Sequence, residues 1–190
     1  MCSGSHALKL PSPNLSSPPS AICDGVDAAV DGCIGRLRLM RLSHNIKSVG
    51  FATFVMNVVG VDERGEAVGG VMSYGGGGEG TKRETEICRD IVGGREEEYH
   101  QTTGAFIHNS YLPGQVRDFA RRDPAGWRRV KRLQTVAGCV VGRWLRTAEC
   151  PMSYSEASWT GLFDVRSKGW AWEYVDMLMP LGGGDKLPPV

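Results

Sequence analysis

The sequence lacks the marks of several large protein classes. No apolar run approaches the roughly 20 residues that span a bilayer, so no transmembrane helix is expected and the chain reads as soluble. Net charge is only +1, from 22 basic and 21 acidic residues. That balance supplies no global pull toward nucleic acid or an anionic membrane. No two of the six cysteines (Cys2, Cys23, Cys33, Cys88, Cys139 and Cys150) have C-x-x-C spacing. A zinc knuckle or dithiol redox motif is therefore missing, and with no secretory signal the thiols are expected reduced, mostly buried, in a cytoplasmic setting. No cluster of cysteine or histidine points to a metal. Ser153, Ser155 and Ser158 have no recognisable His/Asp partners, which removes a serine-hydrolase reading.

What is present suits one α/β domain with tails. Hydrophobic residues make up 41% and charged residues 23%, ordinary proportions for a chain that buries a core. Residues 1–23, rich in Ser and Pro, read as a disordered tail. From Asp24 to Arg41 the residues Val26, Val30, Ile34 and Leu37 fall on one face of a helix. The period then shortens. Ile46 to Phe54 and Val55 to Val61 are rich in β-branched and aromatic residues and read as strands. Asp62-Glu63-Arg64-Gly65 reads as a turn with Gly65 at positive φ, and Glu66 to Tyr74 runs back as the second arm of a hairpin.

Gly75 to Gly80 (GGGGEG) reads as a flexible loop. It is followed by Thr-Lys in an order that does not satisfy the G-x-x-x-x-G-K-[ST] phosphate loop. Lys82 to Val92 is expected to be helical, stopped by Gly93-Gly94, and Glu96 to Tyr99 to start another short helix. The second half reads as mainly helical. Pro113 opens one helix, with Val116, Phe119 and Ala120 inward, and Asp123-Pro124 restarts another that carries Trp127, Val130 and Leu133. Gln134 to Arg146 forms a further helix, and Trp170 to Met179 an amphipathic one with Trp172, Val175 and Leu178, ended by Pro180. Nine basic residues lie between Arg117 and Arg146. They read as exposed helical faces rather than as a nucleic-acid surface.

Several stretches, in order, resemble the FGGY family of carbohydrate kinases. Ile46 to Phe51 and Val61-Asp62 to Gly65 are similar to that family's "I-x-A-I-G-F-S" strand and "V-D-x-x-G" hairpin. Thr103-Gly104, His108 and Ser110 to Pro113 resemble its "T-G-x-x-x-H-x-S-Y-x-P" segment. Tyr154 to Asp164, with Trp170, resembles "S-x-A-S-x-T-G-L-x-D-x-x-x-x-x-W", and the tryptophan before T-G-L is closest to the gluconokinase-like branch.

The resemblance implies a partial actin-like, ribonuclease-H-like α/β lobe over residues 24–180, followed by a flexible tail at 181–190. It also implies a family that transfers the γ-phosphoryl of ATP, with Mg²⁺, to a sugar or sugar-acid hydroxyl. Met56, Asn57 and Tyr74 fall where such a lobe would bind its sugar. The family's D-x-G-T-x-S phosphate loop has no counterpart before Asp24, and its G-x-x-D catalytic segment none within the chain, so no catalytic residue is assigned. Met56 stands where many relatives place a histidine, and the aromatic-x-Asp-x-Arg that ends the family's hairpin is here Tyr74 and glycines. The expectation is a carbohydrate-kinase portion inactive alone, or else a pseudo-kinase remnant that binds a sugar or a protein. His108 is expected to serve helix entry, Asp164 to fix the turn after it, and Trp159 and Trp170 to anchor packing.

Overall fold

An Asp-to-Gly turn fixes the hairpin in the computed structural model of the chain, which describes residues 18–54, 56–75 and 77–190. Asp62 Oδ1 accepts the backbone N–H groups of Arg64 (2.9 Å) and Glu66 (3.1 Å), and Gly65 takes the expected positive φ of 78°. Strands β1 (Asn57–Val61) and β2 (Ala67–Ser73) pair antiparallel on either side of this turn. A third strand, β3 (Arg132–Gln134), takes the other edge of β1, so the sheet order is β2-β1-β3. All five β1 residues are buried. The strand's alternation sends Val58 into one apolar cluster and Val59 and Val61 into a second.

The first departure from expectation concerns Ile46 to Phe54, which forms no strand. Both edges of β1 are taken, so this segment has no ladder to join there. Its backbone stays in contact with water, and Ile46, Val49 and Phe51 are exposed. The second departure lies between the helices of the second half. Helix α5 (Pro124–Arg129) is capped as expected, with Asp123 Oδ1 accepting the Gly126 N–H at 2.8 Å, but it stops early. Val130 turns to an extended backbone, and Leu133, fully buried, belongs to β3 rather than to a longer helix. Pairing with β1 prevails over the helical spacing of Trp127, Val130 and Leu133.

Helix α1 begins at Pro19 and runs to Leu39, so residues 19–23 are helical rather than part of a disordered tail; residues 1–17 lie outside the described ones. Its first turns are the buried part, through Pro19, Cys23 and Gly25, while Val26, Val30, Ile34 and Leu37 are only half-buried. It docks on α6 (Val136–Leu145), where Arg143 meets Asp24 at 2.7 Å and the Trp144 indole N–H donates to Asp27 at 2.6 Å.

On the other face of the sheet lie α2 (Glu79–Val92), α3 (Glu96–Thr103) and α4 (Leu112–Arg122). Glu79 and Gly80, expected in the glycine loop, open α2 instead. A Cβ at Gly80 would fall 2.2 Å from Asp118 Oδ1, and one at Gly114 would fall 2.2 Å from Thr85 Oγ1, so only glycine lets α2 and α4 approach this closely. Asp118, buried in that seam, accepts from Arg121 (2.8 Å), Arg122 (2.9 Å) and Thr81 Oγ1 (3.3 Å). Buried Glu84 meets Arg117 (3.3 Å) and Arg121 (3.2 Å). Much of the arginine-rich stretch thus serves internal ion pairs.

Helix α7 (Tyr154–Ser158) opens with a reciprocal cap: Ser153 Oγ accepts the Glu156 N–H at 3.2 Å, and Glu156 Oε2 accepts the Ser153 N–H at 3.1 Å. A short ribbon of β4 (Phe163–Asp164) and β5 (Gly169–Trp170) follows, then α8 (Trp172–Leu178). Val175 and Leu178 face the core as expected, but Trp172 is exposed. Residues 181–190 do not form a free tail. The buried Trp170 indole N–H donates to the Pro188 carbonyl (2.7 Å), the Met152 N–H donates to the Pro189 carbonyl (2.8 Å), and Leu187 is buried.

Asn57 fixes where β1 begins. Its Nδ2 donates to the Phe54 carbonyl, and its Oδ1 accepts the Val136 N–H at 2.6 Å, joining β1 to the start of α6. Asn57→Ala is expected to lose about 2–3 kcal/mol, because a buried N–H and a carbonyl lose their partners together. Asn57→Asp should not rescue it, since a carboxylate cannot donate to Phe54; urea denaturation of both variants checks this. Asp118→Ala is expected to cost about 1–3 kcal/mol by the same measurement, with exposed Asp90→Ala near zero.

Candidate functional site

A concave pocket opens where four elements meet: the start of β1, the start of α4, the first residue before α6, and the end of α7. With its mouth it holds about 370 Å³. Its walls are Met56, Asn57, Val58, Ser110, Leu112, Gln115, Thr135, Met152, Glu156, Trp159 and Thr160. Val58, Leu112 and Met152 are buried and give it an apolar floor, while Ser110, Glu156 and Trp159 are half-buried at its rim.

The polar wall is largely tied into the fold. Gln115 Nε2 donates to the carbonyls of Ser73 (3.0 Å), Ser110 (3.1 Å) and Asn109 (3.2 Å), holding the hairpin's end against the entry to α4. Thr135 Oγ1 caps α6 by accepting the Gly138 N–H at 3.1 Å. Thr160 Oγ1 donates to the Ala157 carbonyl (2.6 Å) and accepts the Leu162 N–H (3.1 Å). Gly161 follows in the left-handed region at φ 75°, and its carbonyl accepts the buried Tyr99 hydroxyl at 2.6 Å. This is the physical content of the Trp-Thr-Gly-Leu run: a hydroxyl closes the turn, a glycine makes it, and the leucine is driven to full burial.

Three groups at the rim remain open to a ligand. The Ser110 hydroxyl and the Trp159 indole N–H make no hydrogen bond with the described residues, and Glu156 uses only Oε2 for its cap, leaving Oε1. Two donors and a carboxylate oxygen around an aromatic plane can hold a small polyhydroxylated molecule.

Of the sequence-assigned residues, Met56 and Asn57 reach this pocket and Tyr74 does not line it. Tyr74 is exposed at the turn after β2, next to Ser73, which pairs with Asn57. Met56 has φ of 50°, an unfavourable region for its side chain, at the bend that leads into β1. Asn57 is occupied by its two structural bonds. Ser110, Gln115, Thr135, Glu156 and Thr160 were not singled out as site residues, because they lie in separate stretches whose meeting follows from the fold. Trp159, expected as a packing anchor, is a pocket wall instead.

The remaining expectations concern turns and acids outside the pocket. His108 accepts the Ser110 N–H at 3.2 Å at the entry to α4, as expected. Asp164 Oδ1 accepts the Arg166 (2.8 Å) and Ser167 (3.3 Å) N–H groups. The Arg166 N–H and then the Ser167 hydroxyl hold its carboxyl below the usual range, and these bonds organise the turn after it, as expected.

The start of α2 does not form a phosphate cradle for ATP. At the glycine-rich opening of α2 the Asp118 carboxylate fills the space beside Gly80, where a phosphate cradle needs open backbone N–H groups. Among the described residues no group of three His, Cys, Asp or Glu side chains could hold a metal ion. No helix among them is long and apolar enough to cross a membrane.

No family model matches the sequence, and no curated protein is similar to it in sequence. Solved structures do share its fold. The glycerol kinase of Plasmodium falciparum with ADP superposes with a TM-score of 0.77 at 13% identity, over 97% of this chain and 36% of the kinase. The xylulose kinase of Rhodospirillum rubrum gives 0.74 at 18% identity, over 97% and 36%. The gluconate kinase of Lactobacillus acidophilus gives 0.68 at 12% identity, over 98% and 35%. The chain therefore spans about a third of the length of these kinases, and identities this low show the fold alone: a mixed helix-and-sheet, sugar-kinase-like fold.

Proposed function

We propose that this chain is the sugar-side portion of the N-terminal lobe of an FGGY-type carbohydrate kinase, and that its pocket binds a sugar, sugar acid or polyol without transferring phosphate. The observation that carries the reading is the rim of the pocket. Ser110, Trp159 and Glu156 present unspent hydrogen-bonding groups above an apolar floor, on a fold shared with gluconate, xylulose and glycerol kinases. Phosphoryl transfer needs a phosphate cradle, charge neutralisation and a base near the acceptor hydroxyl. Asp118 of α4 fills the space beside Gly80 and Asp164 serves its own turn, which supports reading the chain as a portion that does not transfer phosphate alone.

Binding rather than turnover is the expected behaviour. Titration of the purified chain with gluconate, xylulose and glycerol, followed by calorimetry and tryptophan fluorescence, should give saturable binding for at least one of them. Trp159→Ala is expected to weaken that binding about tenfold and Ser110→Ala about fivefold, the scale of one lost aromatic contact and one lost hydrogen bond. A silent panel would remove the sugar-binding reading. With ATP and Mg²⁺ added, ADP formation should stay at the enzyme-free background, and turnover would overturn the inactive part of the proposal.

A further inference from the structure

A second cavity, of about 510 Å³ with its mouth, lies on the opposite side of the sheet from the α2–α4 seam. It is walled by the first turn of α1 and by the hairpin turn at Gly65 and Glu66, and both Cys23 and Cys139 line it. The two cysteines sit on helices far apart in sequence, α1 and α6, and share one apolar cluster. A smaller apolar cavity between Pro19, Val59 and Val136 is also bounded by both cysteines. Each thiol is the first influence on the other's proton, and the Arg143 guanidinium, which lines the larger cavity, favours the Cys23 thiolate. Arg143 is held there by Asp24 (2.7 Å) and Asp27 (3.6 Å).

We propose that Cys23 and Cys139 form a peroxide-responsive dithiol that closes to a disulfide and clips α1 to α6. Reactivity of this kind needs a thiolate, a nearby resolving thiol and room for a small oxidant, and the cavity supplies all three. The Cys23 thiol is lowered to about 7: the Cys139 bond is the largest cause, burial opposes it, and Arg143 adds to it. The charges around the pair are Arg143, Asp24, Asp27 and, beside Cys139, Glu66. The Cys23 thiol, then burial, and last Glu66 keep Cys139 protonated. By contrast burial pushes the Cys88 thiol up to about 11 and also raises Cys150, so both favour the protonated form.

The step balances with hydrogen peroxide as the oxidant. The Cys23 thiolate attacks one peroxide oxygen, the O–O bond breaks, and Cys23 becomes a sulfenic acid as hydroxide leaves and takes a proton. Cys139 gives up its proton, its sulfur attacks Cys23 Sγ, the S–S bond forms, and the S–O bond breaks to release the second water. Two thiols lose two electrons in all, and one peroxide becomes two waters.

Non-reducing peptide mapping of the purified full chain after treatment with stoichiometric hydrogen peroxide tests this. The expected result is a Cys23–Cys139 linked peptide, reversed by dithiothreitol, whose formation rate rises with pH to half its plateau near pH 7. Arg143→Gln should slow it several-fold. Cys139→Ser should leave Cys23 as a sulfenic acid trapped by dimedone, while Cys88→Ser should still form the bridge. Absence of the linked peptide in the unmodified chain, or linkage to a different cysteine, overturns the proposal whether or not the variants fold.

Discussion

Everything in this structure leans on the complete burial of β1. A strand whose two edges are both paired and whose two faces are both covered leaves no backbone group to water and no side chain free to choose. From that follow the two apolar clusters, one on each face, and the division of labour between them. The Val58 side carries the helices that shape the pocket, and the Val59 and Val61 side carries α1 and α6. Asn57, at the strand's first position, converts this burial into a position for α6, because its amide spans the end of one element and the first free N–H of the other.

The pocket inherits its form from capping rather than from chemistry. Thr135, Glu156 and Thr160 are each a helix-end or turn residue first, and a pocket wall second. Such residues come with spare valence only by accident of geometry: a carboxylate has two oxygens and a cap needs one. Glu156 is the clearest instance, with Oε2 spent on the cap of α7 and Oε1 left at the rim of the pocket.

Legibility in the sequence followed local physics. The hairpin could be read because Asp62 and Gly65 state their roles within four residues, and α5 because Asp123-Pro124 is a complete start signal. β3 could not be read, since three residues carry too little alternation and Leu133 falls at a helical spacing from Val130. Ile46 to Phe54 has strand composition but no partner, and composition says nothing of partners. Residues 181–190 looked like a tail, yet backbone carbonyls at Pro188 and Pro189 are where Trp170 and Met152 find their acceptors. Met56, Asn57 and Tyr74 are named by resemblance alone, and the fold brings the first two to the pocket and leaves Tyr74 at the turn after β2. Ser110, Gln115 and Glu156 were hidden because their roles depend on which distant segment folds against them.

The Asp118 carboxylate at Gly80 has one further meaning. One of its oxygens accepts from Thr81 on α2 while the other fills the space beside Gly80. Adhesion and exclusion are therefore tasks of one side chain, divided between its two oxygens. A variant of this chain that admitted phosphate there would first have to find another way to hold two of its helices together.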